Sequence, residues 1–147
     1  MAANLNNGLA LVQQYLIQHA TVSALIADGT AVTLSSPRDP TPQEVPMPGV
    51  VIGLQGGEGY GSSVTLLQVM VTIWCFSRDG QSQAGDLHHA VLEALQREHL
   101  RSTVTLTSGA RANPTACACD FQGGITDRWH EGLGAWSRSS RWMLTIV

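Results

Sequence analysis

Residues 64–76 read VTLLQVMVTIWCF and carry the clearest secondary-structure pattern in the chain. Side chains of a β-strand point alternately to its two faces. One face receives Val69, Val71, Ile73 and Cys75, and the other receives Met70, Trp74 and Phe76. Because both faces are apolar, the pattern predicts an interior strand, or an edge strand that another subunit covers.

Two loops are predicted before this strand. Prolines crowd residues 36–49, and since proline has no backbone N–H, this segment is predicted to be an extended loop. An apolar run, GVVIGL at 49–54, then predicts a strand. Four glycines fall within residues 55–63, which predicts a flexible hairpin tip between the two strands.

Two stretches have the spacing of amphipathic helices. Their apolar side chains are Leu5, Leu9, Val12 and Leu16 in the first, and Ala84, Leu87, His88, Val91, Leu92 and Leu95 in the second. Residues 109–137 are predicted to be mainly a long glycine-containing loop, interrupted by a short strand at Cys117, Cys119 and Phe121. A closing strand spans Trp142–Val147, with apolar residues on both faces.

The order of these elements predicts an α+β fold. We expect a mainly antiparallel sheet with two principal helices packed on one face, forming a single domain over residues 1–147. A chain of 147 residues has the usual size of one domain.

Composition excludes several functions. The chain has eight arginines, no lysine and a formal net charge of -3, which argues against a nucleic-acid binder that relies on phosphate contacts. The nucleotide-binding, Schiff-base and kinase motifs that require a lysine are also excluded. Only 13% of the residues are charged, against 44% hydrophobic, so we expect a partner to cover part of the surface.

Three cysteines and the absence of a secretory pattern argue against a disulfide framework and indicate synthesis in a reducing cytoplasm. Apolar runs are interrupted before they reach membrane-spanning length, so no membrane is expected as a partner.

Motifs for chemistry are weak. The glycines at 56–61 lack the register of a dinucleotide-binding loop, and a strand pattern rather than a helix follows them. Cys117 and Cys119 can be joined by His99 or His130 as zinc ligands, but their one-residue gap is more typical of two side chains on one strand face. His88 belongs to an apolar stripe, whereas the adjacent His89 is expected to be solvated. No spacing identifies a catalytic triad, so no catalytic residue, metal or cofactor is predicted.

Aromatic and arginine side chains gather near the C-terminus. Tryptophan and arginine are enriched where proteins meet, although aromatic rings also stack on bases. The negative net charge favours protein contact over nucleic acid. The residues predicted to contact a subunit or partner are Glu58 and Tyr60 in the glycine-rich hairpin, and Arg128, Trp129 and Trp136.

The whole order of features resembles the tail-terminator and tail-completion proteins of long-tailed bacteriophages. The resemblance rests on the opening helix followed by TVSALI at 21–26, the proline-rich stretch up to Pro48, and GVVI at 49–52. It continues through VMVTIW at 69–74, the second helix and the closing strand. Residues 109–137 are longer and richer in glycine than this family leads us to expect.

The resemblance implies a structural virion protein rather than an enzyme. Such a protein forms a hexameric ring at the head-proximal end of the tail, ends tail-tube polymerisation and contacts the head-tail connector, while genomic DNA passes through the lumen without specific binding. Two alternatives stay open: a head-tail connector subunit on the portal side, and a small metal- or thiol-dependent enzyme.

Overall fold

The described part of the apolar stretch, residues 67–76, lies in an interior strand of a sheet that has six strands among the described residues. In the computed structural model, which describes residues 5–35, 46–54, 67–96, 99–100 and 117–146, this strand is β3, Leu67–Ser77. It pairs antiparallel with β2, Gly49–Leu54, on one side and with β6, Ala135–Ile146, on the other. The prediction of an interior strand is therefore confirmed.

The remaining strands extend the sheet in both directions. They are β1, Val32–Ser35, β4, His99–Leu100, and β5, Cys117–His130. The strand order is β1-β2-β3-β6-β5-β4. Among the described strand pairs only β1–β2 is parallel, so the sheet is mainly antiparallel as predicted.

Three helices cover one face of the sheet. They are α1, Leu5–Gln18, α2, Ala20–Leu25, and α3, Gln81–Leu95. The apolar stripes of α1 and α3 meet alternate residues of the central strands, including Val71, Ile73, Trp142 and Leu144. The predicted α+β class and the placement of two principal helices on one face are both confirmed. We call this the helix side of the sheet, and the opposite side the outer face.

A close approach fixes α1 against the sheet. Any Cβ at Gly8 would overlap the Ile146 side chain, so glycine lets the helix backbone lie directly over β6. No helix within the described ranges is long and apolar enough to cross a membrane.

The outer face carries a second, smaller apolar cluster. Its buried members are Val51, Phe76 and Ala135, with Met47, Trp74 and Leu133 packed against them. Phe76 and Trp74, two outer-face residues of β3, therefore pack against residues of the same chain.

One predicted loop is wrong over its described part. Residues 109–137 were expected to form mainly a loop, but residues 117–130 form the long strand β5. The sequence there lacks the regular alternation of apolar and polar residues that predicts a strand. Gly123 and Gly124 have positive φ of 87° and 69°, and the register with β6 is interrupted around them. Residues 109–116, the glycine-rich hairpin at 55–63 and most of the proline-rich loop lie outside the described residues.

Candidate interaction site on the β5 to β6 hairpin

The hairpin of β5 and β6 is built around a double irregularity. From Phe121 to Thr126 the chain takes five steps, while β6 takes three between their partners Trp142 and Ser139. Each extra residue reverses the facing of the side chains that follow it, so two extra residues restore it. Cys119, Phe121 and Trp129 consequently all lie on the helix side.

Two tryptophans face each other near the tip of this hairpin. Trp129 and Trp136 are direct cross-strand partners on the helix side, with ring centroids 5.5 Å apart and planes inclined by 58°. Trp129 keeps 44% of its surface exposed, and Ile125, four residues earlier on β5, keeps 54%. Among the described residues, the only other large apolar side chain so exposed is Leu34 on β1.

An arginine bridge ties the hairpin to the start of α3. Arg138 donates from Nε to Asp127 Oδ1 at 2.7 Å and from Nη2 to Oδ2 at 3.0 Å. Gln81 donates to Asp127 Oδ2 at 2.7 Å. The hydrogen bond from Arg138 lowers the pKa of Asp127, and the same bond raises the pKa of Arg138. Gly85 on α3 leaves room for the guanidinium, since a Cβ there would lie 2.6 Å from Arg138 Nη1.

A buried polar contact lies next to this bridge. Ser140 Oγ is 2.9 Å from His88 Nε2 and accepts a hydrogen bond from Trp142 Nε1 at 2.9 Å. Burial, with a smaller contribution from the Arg138 charge, lowers the pKa of His88 to about 4, so the ring is neutral at pH 7. The serine and histidine have the spacing of a nucleophile and its base. Ser140 is 0% exposed and His88 2%, so a substrate does not reach them in this conformation.

The outer face of the same hairpin holds an open groove of about 310 Å³. Six of the eight residues that line it have polar side chains, and the lining comprises Thr72, Trp74, Gly124, Thr126, Arg128, Ser137, Ser139 and Arg141. Two arginines and four hydroxyls thus meet in one place, and no acidic residue is found among the described residues that line it. We call this the arginine groove.

Cys75 and Cys119, the cysteines whose side chains the structure describes, do not form a recognisable site. Cys119 and Cys75 are buried and are not in disulfides, and burial raises the pKa of the Cys75 thiol. Within the described ranges, no three His, Cys, Asp or Glu side chains converge on a possible metal position. The side chains of Cys117 and His99 lie outside the described part of the structure.

The predicted contact residues separate into two surfaces. Trp129 and Trp136 lie together on the helix side, whereas Arg128 lies on the outer face and lines the arginine groove. Glu58 and Tyr60 are outside the described residues. Sequence reasoning did not identify Asp127 or the groove hydroxyls. The run SRSSR at 137–141 was the available signal, because in a strand Ser137, Ser139 and Arg141 share one face while Arg138 and Ser140 share the other.

Comparison with known proteins identifies the fold. No protein-family model matches the sequence, and no curated protein matches it. Among solved structures, the chain is similar to a chain of the "Virion of native gene transfer agent (GTA) particle", with a TM-score of 0.57 and 21% sequence identity. The match covers 97% of this chain and 96% of that chain. At this identity the likeness shows a shared fold.

Proposed function

We propose that this chain is a structural protein of a phage-like virion, and that it forms a ring at the head-proximal end of the tail. There it ends tail-tube polymerisation and joins the tail to the head, in contact with the tail-tube protein and the head-tail connector protein. The likeness to a chain of a phage-like virion, over nearly the full length of both chains, carries this proposal. The order of sequence features, which resembles tail terminators, supports the finer role.

The distribution of exposed apolar side chains suits a ring. A closed ring is built from a heterologous interface, in which two different surfaces of each copy meet. Leu34 lies on β1, at one edge of the sheet, whereas Ile125 and Trp129 lie on β5, near the opposite edge. One such surface can therefore meet the other on the next copy.

The charge of the chain suits a lumen that DNA crosses. Strong binding to phosphate needs several cationic side chains along one surface. The chain has a net charge of -3, and Arg138 is neutralised by Asp127. DNA is expected to pass such a subunit without being held.

The ring can be tested by measuring the solution mass of the purified protein by light scattering and then imaging it by negative-stain electron microscopy. A ring of about six copies of the 15.7 kDa chain, near 94 kDa, is the expected result. Trp129→Ala should shift the mass toward the monomer, while Trp129→Phe, which keeps an aromatic ring, should retain the assembly.

Two results would count against the role. A chain that stays monomeric at high concentration and also fails to form rings on purified tail tubes contradicts the terminator proposal. Capture of the connector protein without any affinity for the tail tube would instead favour a connector subunit on the portal side.

A further inference from the structure

The chemistry of the arginine groove is suited to carboxylates. The planar guanidinium presents paired N–H donors that match the two oxygens of a carboxylate. Arg128 and Arg141 are both exposed. The ion pairs among the described residues are His89–Glu93 and Arg138–Asp127, so neither groove arginine takes part in them.

The groove is shaped by the irregularity in β5. Gly124, with φ of +69°, lies under Arg141, and a Cβ at this position would be 2.8 Å from Arg141 Nε. Glycine thus lets the guanidinium lie against the backbone of β5.

A surface of opposite charge lies on the other side of the same chain. Asp86 and Glu93 are exposed on α3, and their separation of seven residues places them on one face, about 10 Å apart along the axis. His89 lies between them and pairs with Glu93 at 3.0 Å. The side chains of that pair are 72% and 65% exposed, so the pair is weak and leaves the Glu93 carboxylate available. Asp86 is exposed and lies near Arg138, whose pKa its charge helps to raise.

The geometry of the two surfaces is compatible. Arg141 and Ser137, the partner of Arg128, are four residues apart on β6, which corresponds to about 13 Å along a strand. The flexible arginine side chains converge on one groove from these positions, so they can meet two carboxylates about 10 Å apart. Because α3 and the groove lie on opposite sides of the sheet, the contact can form only between copies.

We infer that the arginine groove of one copy binds the acidic face of α3, formed by Asp86 and Glu93, on a neighbouring copy. This inference rests on the proposed ring and identifies one of its subunit contacts. Nucleic acid is a poorer occupant, since two cations in a short groove are far fewer than the phosphate contacts of a typical DNA-binding surface.

The first test removes the groove charges. Arg128→Gln with Arg141→Gln should weaken association at least roughly tenfold in light scattering, and should reduce its dependence on salt. Thr21→Glu with Ala24→Glu is the matched control, because it changes the net charge by the same two units at exposed positions of α2. That control should assemble like the unmodified chain.

The second test exchanges the charges. Arg128→Glu with Arg141→Glu gives a copy that is acidic on both surfaces, and Asp86→Arg with Glu93→Arg gives a copy that is basic on both. Each variant alone should remain monomeric, whereas an equimolar mixture should form assemblies that contain both. Circular dichroism on each variant confirms that it is folded.

The outcomes separate this inference from the proposed function. Rings that form equally well in the unmodified chain and the Arg128→Gln, Arg141→Gln variant overturn the inference and leave the ring intact. A mixture of folded charge-exchanged variants that does not assemble also overturns it. If the unmodified chain never self-associates, either alone or on purified tail tubes, both the ring and this contact are wrong. Loss of binding to a fluorescent DNA duplex, with rings retained, would make the groove a nucleic-acid site instead.

Discussion

The ladder between β3 and β6 has two halves that share one backbone pattern and differ in what holds them. In the apolar half, Leu67–Val71 pairs with Trp142–Ile146, and the helix side is filled by buried apolar residues. In the polar half, Ile73–Ser77 pairs with residues 136–140, and the helix side of β6 carries Trp136, Arg138 and Ser140. The register is continuous across both, so backbone pairing alone does not decide what each half does.

The difference separates folding from recognition. Burial of apolar surface is strong but has no direction, whereas hydrogen bonds and ion pairs fix the orientation of side chains. The apolar half therefore supplies stability, and the polar half holds the hairpin in one orientation with exposed side chains. Mutations that act on one half alone are the means to test this division.

The largest effect is expected from the apolar half. Trp142 is fully buried and packs against Phe121, with ring centroids 5.4 Å apart. Trp142→Ala leaves a large cavity and should lower the free energy of unfolding by about 3–5 kcal/mol, measured by urea denaturation. Trp142→Phe keeps most of the volume and should cost clearly less. A loss below about 1 kcal/mol for the alanine variant would show that the apolar half does not dominate stability.

The second prediction concerns the pH dependence of stability. It tests the polar half, because His88 contacts Ser140 in that half. The pKa of His88 falls from its ordinary value of 6.5 to about 4 in the folded chain. Between these values the unfolded chain binds a proton and the folded chain does not, so stability decreases as pH falls from 6.5 toward 4. The loss attributable to His88 should reach up to about 3 kcal/mol.

Urea denaturation at several pH values measures this loss, and His88→Gln provides the control. Glutamine does not titrate and can still reach Ser140, so the difference between the two chains isolates the histidine from Asp127 and other carboxylates. Parallel pH curves for the two chains would contradict the assignment.

The two halves also differ in how well the sequence predicts them. The alternation in VTLLQVMVTIWCF and the helical spacing in α3 place apolar residues on the faces that are buried. The pattern therefore predicts β3, α3 and the α+β class. His88 was placed on the buried face and His89 in solvent, and both positions are confirmed. Elements that bury an apolar face can therefore be predicted from the spacing of their apolar residues.

The polar half was harder to predict because its residues are selected by contacts between distant segments. Asp127 and Arg138 meet because β5 and β6 pair as a hairpin, and two extra residues around Gly123 and Gly124 interrupt the register of that pair. Glycines in a strand are read as a loop signal from sequence alone. The strand β5 was therefore missed, and with it the separation of Arg128 from Trp129.

A moderate effect is expected from the bridge between Arg138 and Asp127. Both side chains are about 30% exposed, so solvent screens part of their attraction. A double-mutant cycle with Arg138→Gln and Asp127→Asn should give a coupling energy of about 1 kcal/mol, decreasing in high salt. A coupling that is absent at low salt would indicate that the polar half is held by backbone pairing instead.

The smallest effect on stability is expected from substitution of Trp129. The same substitution should weaken assembly far more than it lowers the stability of the isolated chain. The side chain is 44% exposed and its main described contact is the ring of Trp136, so Trp129→Ala should cost only about 0.5 kcal/mol in the isolated chain. The same change removes an exposed aromatic side chain of the kind that dominates binding at protein interfaces. Urea denaturation and light scattering on one preparation distinguish the two properties. A loss of stability as large as that of Trp142→Ala would contradict this prediction. It would show that Trp129, through its partner Trp136 in the polar half, contributes to stability as much as the apolar half does.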